Sequence, residues 1–126
     1  MEKYKILVVD DEPLIRSLLD KYFKTDDRFE VDLKEDGSFI MNGPLKSKYD
    51  LIVFDVLMPN VNGIELLQNI ISKNPGIKTL AITGMANEGL LRQIMTLGCL
   101  GVLKKPIKKQ EFMDAVYKAM GIAPKE

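Results

Sequence analysis

Short runs of apolar residues alternate with amphipathic stretches along this chain of 126 residues. The runs at positions 6–9 and 51–54 are continuous, which is typical of parallel strands buried on both faces. Apolar and charged residues alternate at positions 29–33, as expected for an edge strand with one exposed face. Two further strands are predicted at positions 79–83 and 101–103. Because stretches with helical period separate the strands, the pattern predicts right-handed βαβ crossovers and a parallel sheet covered on both faces.

Five strands therefore alternate with five helical segments. Pro13 suits the first turn of the first helix, and Gly121 and Pro124 are expected to end the last one. The least regular segment lies at positions 37–48, where the sequence Asn-Gly-Pro at positions 42–44 interrupts an apolar stretch. We expect a short or irregular second helix there.

The composition narrows the class of protein. Positive and negative side chains are balanced at 18 each, which argues against a nucleic-acid surface or a polybasic membrane patch. The apolar runs are too short to span a bilayer, and the N-terminal residues lack the features of a signal peptide. The single cysteine, Cys99, excludes an internal disulfide, and the absence of histidine excludes a Ser-His-Asp triad, a histidine-ligated zinc and a histidine phosphodonor. These features favour a cytoplasmic protein of one domain.

Acidic residues and one lysine follow the predicted buried strands. Asp10 and Asp11 follow the first strand, Asp55 follows the third, and Lys105 follows the fifth. Since the carboxyl ends of parallel strands meet at one edge of the sheet, these side chains are expected to converge. Neighbouring carboxylates repel each other unless one is protonated or a cation lies between them, and Mg²⁺ accepts such ligands. The structural alternative for Asp10 and Asp11 is a turn that caps the first helix.

Asp55, Lys105 and Thr83 indicate phosphoryl chemistry. A charged residue directly after a buried run is costly unless it faces a site, and a carboxylate can attack phosphorus to give an acyl phosphate. The alternative for Asp55 is a cap at a strand–loop junction. Lys105 would supply a positive charge for a phosphoryl oxygen. Thr83 closes the fourth strand and can donate its hydroxyl to the same group, although threonine also favours strands in general.

Four motifs carry a resemblance to a known family. They are Val8-Val9-Asp10-Asp11-Glu12-Pro13, Asp55-Val56-Leu57-Met58-Pro59 with Gly63, Thr83-Gly84 and Lys105-Pro106. Over its whole length the chain resembles the receiver domain of bacterial two-component response regulators, and it is similar to the chemotaxis response regulator. The resemblance implies a flavodoxin-like, doubly wound (βα)5 fold with a five-stranded parallel sheet in the order 2-1-3-4-5. It also implies a receiver domain at residues 1–121, with residues 122–126 as a C-terminal tail or the start of a linker.

The resemblance also implies roles for the acidic residues. Asp55 matches the phosphoacceptor of the family. Asp11 and Asp55 match direct Mg²⁺ ligands, with the backbone carbonyl of Leu57 as a third. Asp10 matches the acid that holds the metal mainly through water.

Further roles concern the residues that respond to the phosphoryl group. Thr83 matches the switch hydroxyl that turns toward this group, and Lys105 matches the lysine that pairs with one of its oxygens. In this family the bond between that lysine and the next residue, here Pro106, is usually cis. Gly63 matches a glycine that shapes the loop after the phosphorylated strand.

The sequence departs from the family pattern in four places, none of which touches the phosphorylation chemistry. Val102 lies where many receivers carry an aromatic ring that moves inward with the threonine. Ile107 replaces a frequent phenylalanine. Gly84 replaces a common alanine and is expected to loosen the following loop. The fourth departure is the interrupted second helix.

The resemblance implies a phospho-accepting signalling switch. A histidine kinase or phosphotransfer protein would supply the phosphoryl group with Mg²⁺ as cofactor, and the surface of the fourth helix, fifth strand and fifth helix would change for a downstream effector domain or protein. The chain would catalyse only its own phosphorylation and dephosphorylation and would bind neither nucleic acid nor membrane. Phosphorylation-driven homodimerisation through the fourth helix stays open. Among Met85, Leu90, Leu91 and Met95, one or two exposed side chains would mark a binding face.

Two other functions compete with this interpretation. An aspartyl-phosphate hydrolase or phosphomutase usually has a second acid two residues after its nucleophile, where this chain has Leu57. A pseudo-receiver would have the same fold and act as a phosphorylation-independent interaction module. The intact acids, Thr83 and Lys105 argue against the pseudo-receiver, whereas Val102 leaves it open as an alternative.

Overall fold

Five strands form one parallel sheet with helices packed on both faces. The computed structural model describes residues 2–36, 45, 47–58, 61–84 and 87–125. None of the helices in these ranges is long and apolar enough to cross a bilayer. In chain order the elements are β1 (Tyr4–Val9), α1 (Pro13–Phe23), β2 (Phe29–Lys34), β3 (Leu51–Asp55), β4 (Leu57–Met58), β5 (Val61–Asn62), α2 (Gly63–Lys73), β6 (Lys78–Thr83), α3 (Glu88–Thr96), β7 (Val102–Lys104) and α4 (Lys109–Met120).

The order of strands in the main sheet is β2-β1-β3-β6-β7, and all neighbouring pairs are parallel. This is the order 2-1-3-4-5 that the family resemblance implied, so the flavodoxin-like fold is confirmed. Every residue of the central strand β3 is buried. The edge strand β2 is different, because most of its residues are exposed, including Leu33 at 36%. The contrast between continuous and alternating apolar patterns therefore distinguished the inner strands β1 and β3 from the edge strand β2 correctly, while β7 forms the other edge.

Two apolar layers lie on the two faces of the sheet because successive side chains of a strand point to opposite sides. In β1 this alternation sends Leu7 and Val9 to one layer and Ile6 and Val8 to the other. The first layer is completed mainly by α2 and α3 and includes Ile52, Phe54, Leu66, Leu67, Ile70 and Ile94. The second is completed by α1 and α4 and includes Leu51, Val53, Leu19, Phe23, Phe112 and Val116.

The helix boundaries follow local sequence signals. Helix α1 begins at Pro13, as predicted. The Asn62 side chain caps α2 by accepting a hydrogen bond from the Ile64 amide at 2.9 Å, and Asn87 caps α3 in the same manner. Helix α4 ends before Gly121, which has a left-handed φ of 69°.

Two features of the fold differ from or extend beyond the sequence predictions. Strands β4 and β5 form a short antiparallel hairpin directly after β3, which the sequence analysis did not predict. The predicted irregular second helix falls on a segment of which residues 37–44 and 46 lie outside the described residues. The described residues contain four helices. Within that segment Leu45 is buried, and its amide donates to the side chain of Asn74 at 2.7 Å.

The hydroxyl of Thr79 is buried in β6 without a hydrogen-bond partner among the described residues. Replacing Thr79 with valine keeps the shape of the side chain and removes this unsatisfied group. We expect the free energy of unfolding to stay equal or to rise by about 1 kcal/mol, measured by urea denaturation. Thr25→Val is the matched control, because the exposed Thr25 hydroxyl donates to the Tyr22 carbonyl at 2.7 Å. A loss of stability in Thr79→Val as large as in Thr25→Val would contradict the claim that the Thr79 hydroxyl makes no hydrogen bond.

A cluster of polar side chains connects the end of α4 to the loop after α1 through hydrogen bonds. The buried carboxylate of Asp26 accepts hydrogen bonds from Arg28 Nη2 at 2.7 Å and from the Tyr117 hydroxyl at 3.1 Å. Arg28 Nη2 also donates to the carbonyl of Ala123 at 2.9 Å. The side-chain hydrogen bonds from Arg28 lower the pKa of Asp26 from 3.8 to about 2, although burial opposes this shift.

This cluster predicts a pH dependence of stability. The pKa of Asp26 is depressed in the folded state. Its contribution to the free energy of unfolding is therefore fully present above about pH 5 and is lost as the pH falls from about 4 through about 2. A shift of this size corresponds to about 2 kcal/mol. Urea denaturation of the wild type and of Asp26→Asn, at pH 6 and near pH 2, measures this contribution of Asp26 to stability. We expect the stability difference between the two proteins to shrink at the acidic pH, and a constant difference would contradict the role of Asp26.

Candidate functional site

The sequence-predicted site residues meet at the carboxyl edge of the sheet. Asp10 follows β1, Asp55 ends β3, Thr83 ends β6 and Lys105 follows β7, and these four strands are neighbours in the sheet. Backbone hydrogen bonds hold the strand ends in register. The amide of Lys105 donates to the carbonyl of Thr83 at 2.8 Å. The convergence predicted from the strand ends is therefore observed.

Four carboxylates form the acidic side of this site. One oxygen from each of Asp10, Asp11, Glu12 and Asp55 lies within 4.8 Å of the other three. Asp10 and Asp55 are buried, Asp11 is half-buried and Glu12 is exposed. The sequence analysis did not select Glu12 as a site residue. Its position directly after the two aspartates was the available signal, but sequence alone does not show which way the side chain of a helix-start residue turns.

Lys105 is the cation that these acids surround. Its Nζ lies 2.9 Å from Asp55 Oδ2 and 3.3 Å from Asp10 Oδ2, and it also donates to Glu12 Oε1. Burial disfavours the charged form of Lys105, but the hydrogen bonds to Glu12 and Asp55 and the charges of Asp55 and Asp10 outweigh it and raise the pKa of Lys105. Lys105 is therefore a fixed positive charge in the site. The bond between Lys105 and Pro106 is cis, as expected.

Asp10 is held rigidly in the wall of the site. Its Oδ1 accepts the backbone amide of Glu12 at 2.8 Å, and its backbone carbonyl accepts a hydrogen bond from Arg16 Nη1 at 2.6 Å. Burial is the main cause that raises the pKa of Asp10, and the charge of Asp55 adds to it. Within the described residues, Asp10 Oδ2 is buried without a hydrogen-bond partner. A buried carboxylate oxygen of this kind, beside three further carboxylates, fits a hard divalent cation.

Asp55 is oriented by the loop that follows it. The Leu57 amide donates to Asp55 Oδ1 at 3.0 Å, while Oδ2 contacts Lys105. Leu57 is 44% exposed. Gly63 packs so closely under this loop that a Cβ atom there would lie 2.5 Å from the carbonyl oxygen of Val56. The expectation that Gly63 shapes the loop after β3 thus has a steric basis in the described structure. The role of the Leu57 carbonyl as a metal ligand stays a prediction.

Thr83 and Val102 occupy neighbouring strands beside the acid cluster. Thr83 is fully buried at the end of β6. Val102 pairs with Ala81 in the sheet and packs, half-buried, on the apolar layer formed with α2 and α3. Gly84 has room around it as far as the described residues are concerned, since the nearest of their atoms to a Cβ there would be Lys105 Cδ at 3.9 Å. The switching role of Thr83 stays a prediction.

Helix α3 carries three of the four apolar side chains among which one or two were expected to be exposed. Leu90 and Leu91 are half-buried, whereas Met95 is 48% exposed. Leu100, in the connection to β7, is exposed to the same degree. Met85 lies outside the described residues. One exposed side chain of the predicted set is thus present on α3.

The arrangement offers three chemical functions at one place. Asp55 supplies an oxygen nucleophile, Lys105 supplies a positive charge for an incoming anion, and the acids supply oxygen ligands for a divalent cation. A cleft of about 650 Å³ lies elsewhere, with Lys5, Lys48 and Tyr49 in its lining, and none of the predicted site residues contributes to it. The acid cluster is therefore the candidate site because of the chemistry of its side chains, and not because of the volume of a cavity.

Comparison with known proteins agrees with the fold. The profile of the response regulator receiver domain matches residues 6–117. The chemotaxis protein CheY of Listeria monocytogenes is 27% identical over 115 residues, which cover 91% of this chain and 97% of that protein. The transcriptional regulatory protein ComA of Bacillus subtilis is 32% identical over 117 residues, which cover 90% of this chain and 54% of ComA.

A solved structure extends the comparison to three dimensions. The response regulator domain of CheB from Thermotoga maritima has a TM-score of 0.81 and 25% sequence identity, and the match covers 98% of this chain and 100% of that domain. The chain thus spans nearly the full length of CheY but about half of ComA. Since the family profile covers most of its length, this chain belongs to the response regulator receiver domain family, whose members are phospho-accepting signalling switches.

Proposed function

We propose that this chain accepts a phosphoryl group on Asp55 and uses it as a signal. The observation that carries the proposal is the contact of 2.9 Å between the buried carboxylate of Asp55 and Lys105 Nζ, within a cluster of three further carboxylates. The ammonium offsets the negative charge that would otherwise repel an incoming phosphoryl group. The amide of Leu57 fixes Asp55 Oδ1, so Asp55 has a defined orientation for attack in line with the leaving group.

The proposed reaction transfers one phosphoryl group between two proteins. A carboxylate oxygen of Asp55 attacks the phosphorus of a phosphohistidine on a histidine kinase or phosphotransfer protein. The new O–P bond forms as the N–P bond breaks, and the imidazole leaves with the bonding electron pair and takes up a proton. Hydrolysis of the acyl phosphate later restores Asp55 and releases inorganic phosphate. On this account the chain catalyses only its own phosphorylation and dephosphorylation.

Mg²⁺ is the cofactor that the site would hold. The ligands would be carboxylates of Asp11 and Asp55 and the carbonyl of Leu57, with Asp10 acting mainly through water. When bound, the ion would neutralise negative charge on the transferring group. Asp10 Oδ2 supports this assignment, because it is buried and makes no hydrogen bond within the described residues, although Lys105 Nζ lies 3.3 Å away.

The proposed output surface is formed by α3, β7 and α4. Thr83 would turn toward the phosphoryl group and Lys105 would pair with one of its oxygens, so that the segment between them changes arrangement. The exposed side chains of Met95 and Leu100 would contact the effector domain or protein. The domain would comprise residues 1–121, followed by a tail or linker at residues 122–126. A phosphorylation-dependent homodimer would use the same surface.

The decisive experiment is phosphorylation with a small donor. Protein is incubated with Mg²⁺ and acetyl phosphate, and its intact mass is expected to show one base-labile phosphoryl adduct. Borohydride reduction, which converts an aspartyl phosphate to homoserine, is expected to map it to Asp55. With excess chelator the adduct should disappear while the circular dichroism spectrum stays the same. Phosphorylation that persists without the metal would contradict the Mg²⁺ assignment.

The same experiment distinguishes the competing functions. An absence of adduct with both acetyl phosphate and a histidine kinase would favour the pseudo-receiver, which the aliphatic side chain of Val102 keeps under consideration. Repeated turnover of unrelated phosphate esters would favour a hydrolase. The exposed Leu57 argues against the hydrolase, because it provides no general acid at that position.

A further inference from the structure

Glu12 stands at the start of α1 but does not cap the helix. It has the extended backbone angles of an N-cap residue, φ −88° and ψ 115°, and its side chain makes no capping hydrogen bond within the described residues. Ser, Thr, Asp and Asn are the preferred residues at this position because their short side chains reach the free amides of the first turn. The Glu12 carboxylate instead accepts a hydrogen bond from Lys105 Nζ. The Glu12 side chain therefore extends across the site to Lys105 instead of capping α1.

Three carboxylates compete for one ammonium. Lys105 has three N–H donors, and its Nζ contacts Asp55, Asp10 and Glu12. Two of these donors make hydrogen bonds, to Asp55 and Glu12, and Asp10 Oδ2 lies 3.3 Å away as an ion-pair partner before any phosphoryl group arrives. A phosphoryl group on Asp55 would bring new anionic oxygens that compete with these carboxylates for Lys105.

Glu12 is the partner best able to leave. The carboxylates of Asp10 and Asp55 are buried and each is fixed by a backbone amide, from Glu12 and Leu57 respectively. The Glu12 side chain is 54% exposed. Its backbone is fixed, because its carbonyl accepts the amides of Ile15 and Arg16 at 3.1 Å each. Movement of the side chain into solvent therefore requires no rearrangement of α1.

We propose that Glu12 is a positioning residue that holds Lys105 in the resting site and opposes phosphorylation. This inference rests on the proposed phosphoacceptor function of Asp55. In the resting protein Glu12 occupies one donor of Lys105. It releases the ammonium when the phosphoryl oxygens arrive, and it re-forms the contact after hydrolysis. The contact thus shifts the balance between the two states toward the unphosphorylated one.

The first test compares variants of Glu12 at saturating Mg²⁺ and limiting acetyl phosphate. Glu12→Gln removes the charge, and we expect its initial rate of adduct formation to exceed that of the wild type by roughly twofold to fivefold, as for the loss of one partly exposed ion pair. Glu12→Asp keeps the charge but shortens the side chain and suits a helix cap, so it should also be faster than the wild type. Glu111→Gln, in the exposed first turn of α4, is the matched control and should be unchanged.

These variants show whether the contact between Glu12 and Lys105, or only the negative charge at position 12, controls the rate of adduct formation. If Glu12→Asp behaves like the wild type while Glu12→Gln is faster, charge alone controls the rate and the proposed contact is wrong. If neither variant is faster, Glu12 does not oppose phosphorylation. A wild type that forms no adduct with either acetyl phosphate or a histidine kinase would refute the proposed function itself.

A second readout requires no phosphoryl chemistry. Urea denaturation of the wild type, Glu12→Gln, Lys105→Met and the double variant forms a double-mutant cycle, carried out without Mg²⁺. We expect the coupling between Glu12 and Lys105 to change the unfolding equilibrium constant by roughly twofold to fivefold. A coupling factor of one would show that Glu12 does not hold Lys105, whatever the phosphorylation result.

Discussion

An Asp55→Asn variant is expected to carry no phosphoryl group after incubation with Mg²⁺ and acetyl phosphate, while its fold remains intact. The amide that replaces the carboxylate has no anionic oxygen to attack phosphorus. Its oxygen can still accept the Leu57 amide that now lies 3.0 Å from Asp55 Oδ1, so the loop after β3 should keep its course. Lys105 would retain its contacts with Asp10 and Glu12. Intact mass spectrometry measures the adduct, and circular dichroism checks the fold.

Asp50→Asn is the matched control for this experiment. Asp50 is exposed and directly precedes β3, so the same chemical change is made at the opposite end of the same strand. The control should be phosphorylated at the rate of the wild type. An adduct of normal yield in Asp55→Asn would mean that another carboxylate, such as Asp10 or Asp11, is the nucleophile.

A Gly63→Ala variant is expected to lose about 2–3 kcal/mol of unfolding free energy, as for an overpacked site. The added Cβ would lie 2.5 Å from the Val56 carbonyl oxygen and 2.9 Å from Val56 Cα, and these backbone atoms cannot turn away as a flexible side chain would. Since Val56 directly follows Asp55, relief of the clash must move the loop that orients the proposed phosphoacceptor. We therefore expect slower adduct formation together with the loss of stability.

Gly84→Ala tests the same substitution where the structure offers space. Among the described residues, only Lys105 Cδ, at 3.9 Å, would lie near the new Cβ, and Gly84 is not among the glycines with positive φ. We expect its unfolding free energy to stay equal or to rise by up to about 1 kcal/mol, because alanine restricts the unfolded chain. Urea denaturation of both variants provides the comparison. Equal losses in the two variants would show that the close approach to Val56 is not what requires glycine at position 63.

The fold was predictable because its strands have strong local signals. The continuous apolar run at positions 51–54 indicated a strand buried on both faces, and β3 is the central strand. The alternation at positions 29–33 indicated an edge strand, and β2 is at the edge. The strand order came from the family resemblance. The hairpin of β4 and β5 was missed because each strand has two residues, too few for any periodicity to be recognised.

The sequence by itself determined that Asp10, Asp55 and Lys105 meet, since each follows a parallel strand and the carboxyl ends of such strands share one edge. The tertiary structure alone decided how they meet. It turns Glu12 away from the helix it precedes and toward Lys105, a residue 93 positions along the chain. It also brings Gly63 against the backbone of Val56. These contacts depend on distances between elements that are remote in sequence, which local propensity and periodicity do not encode.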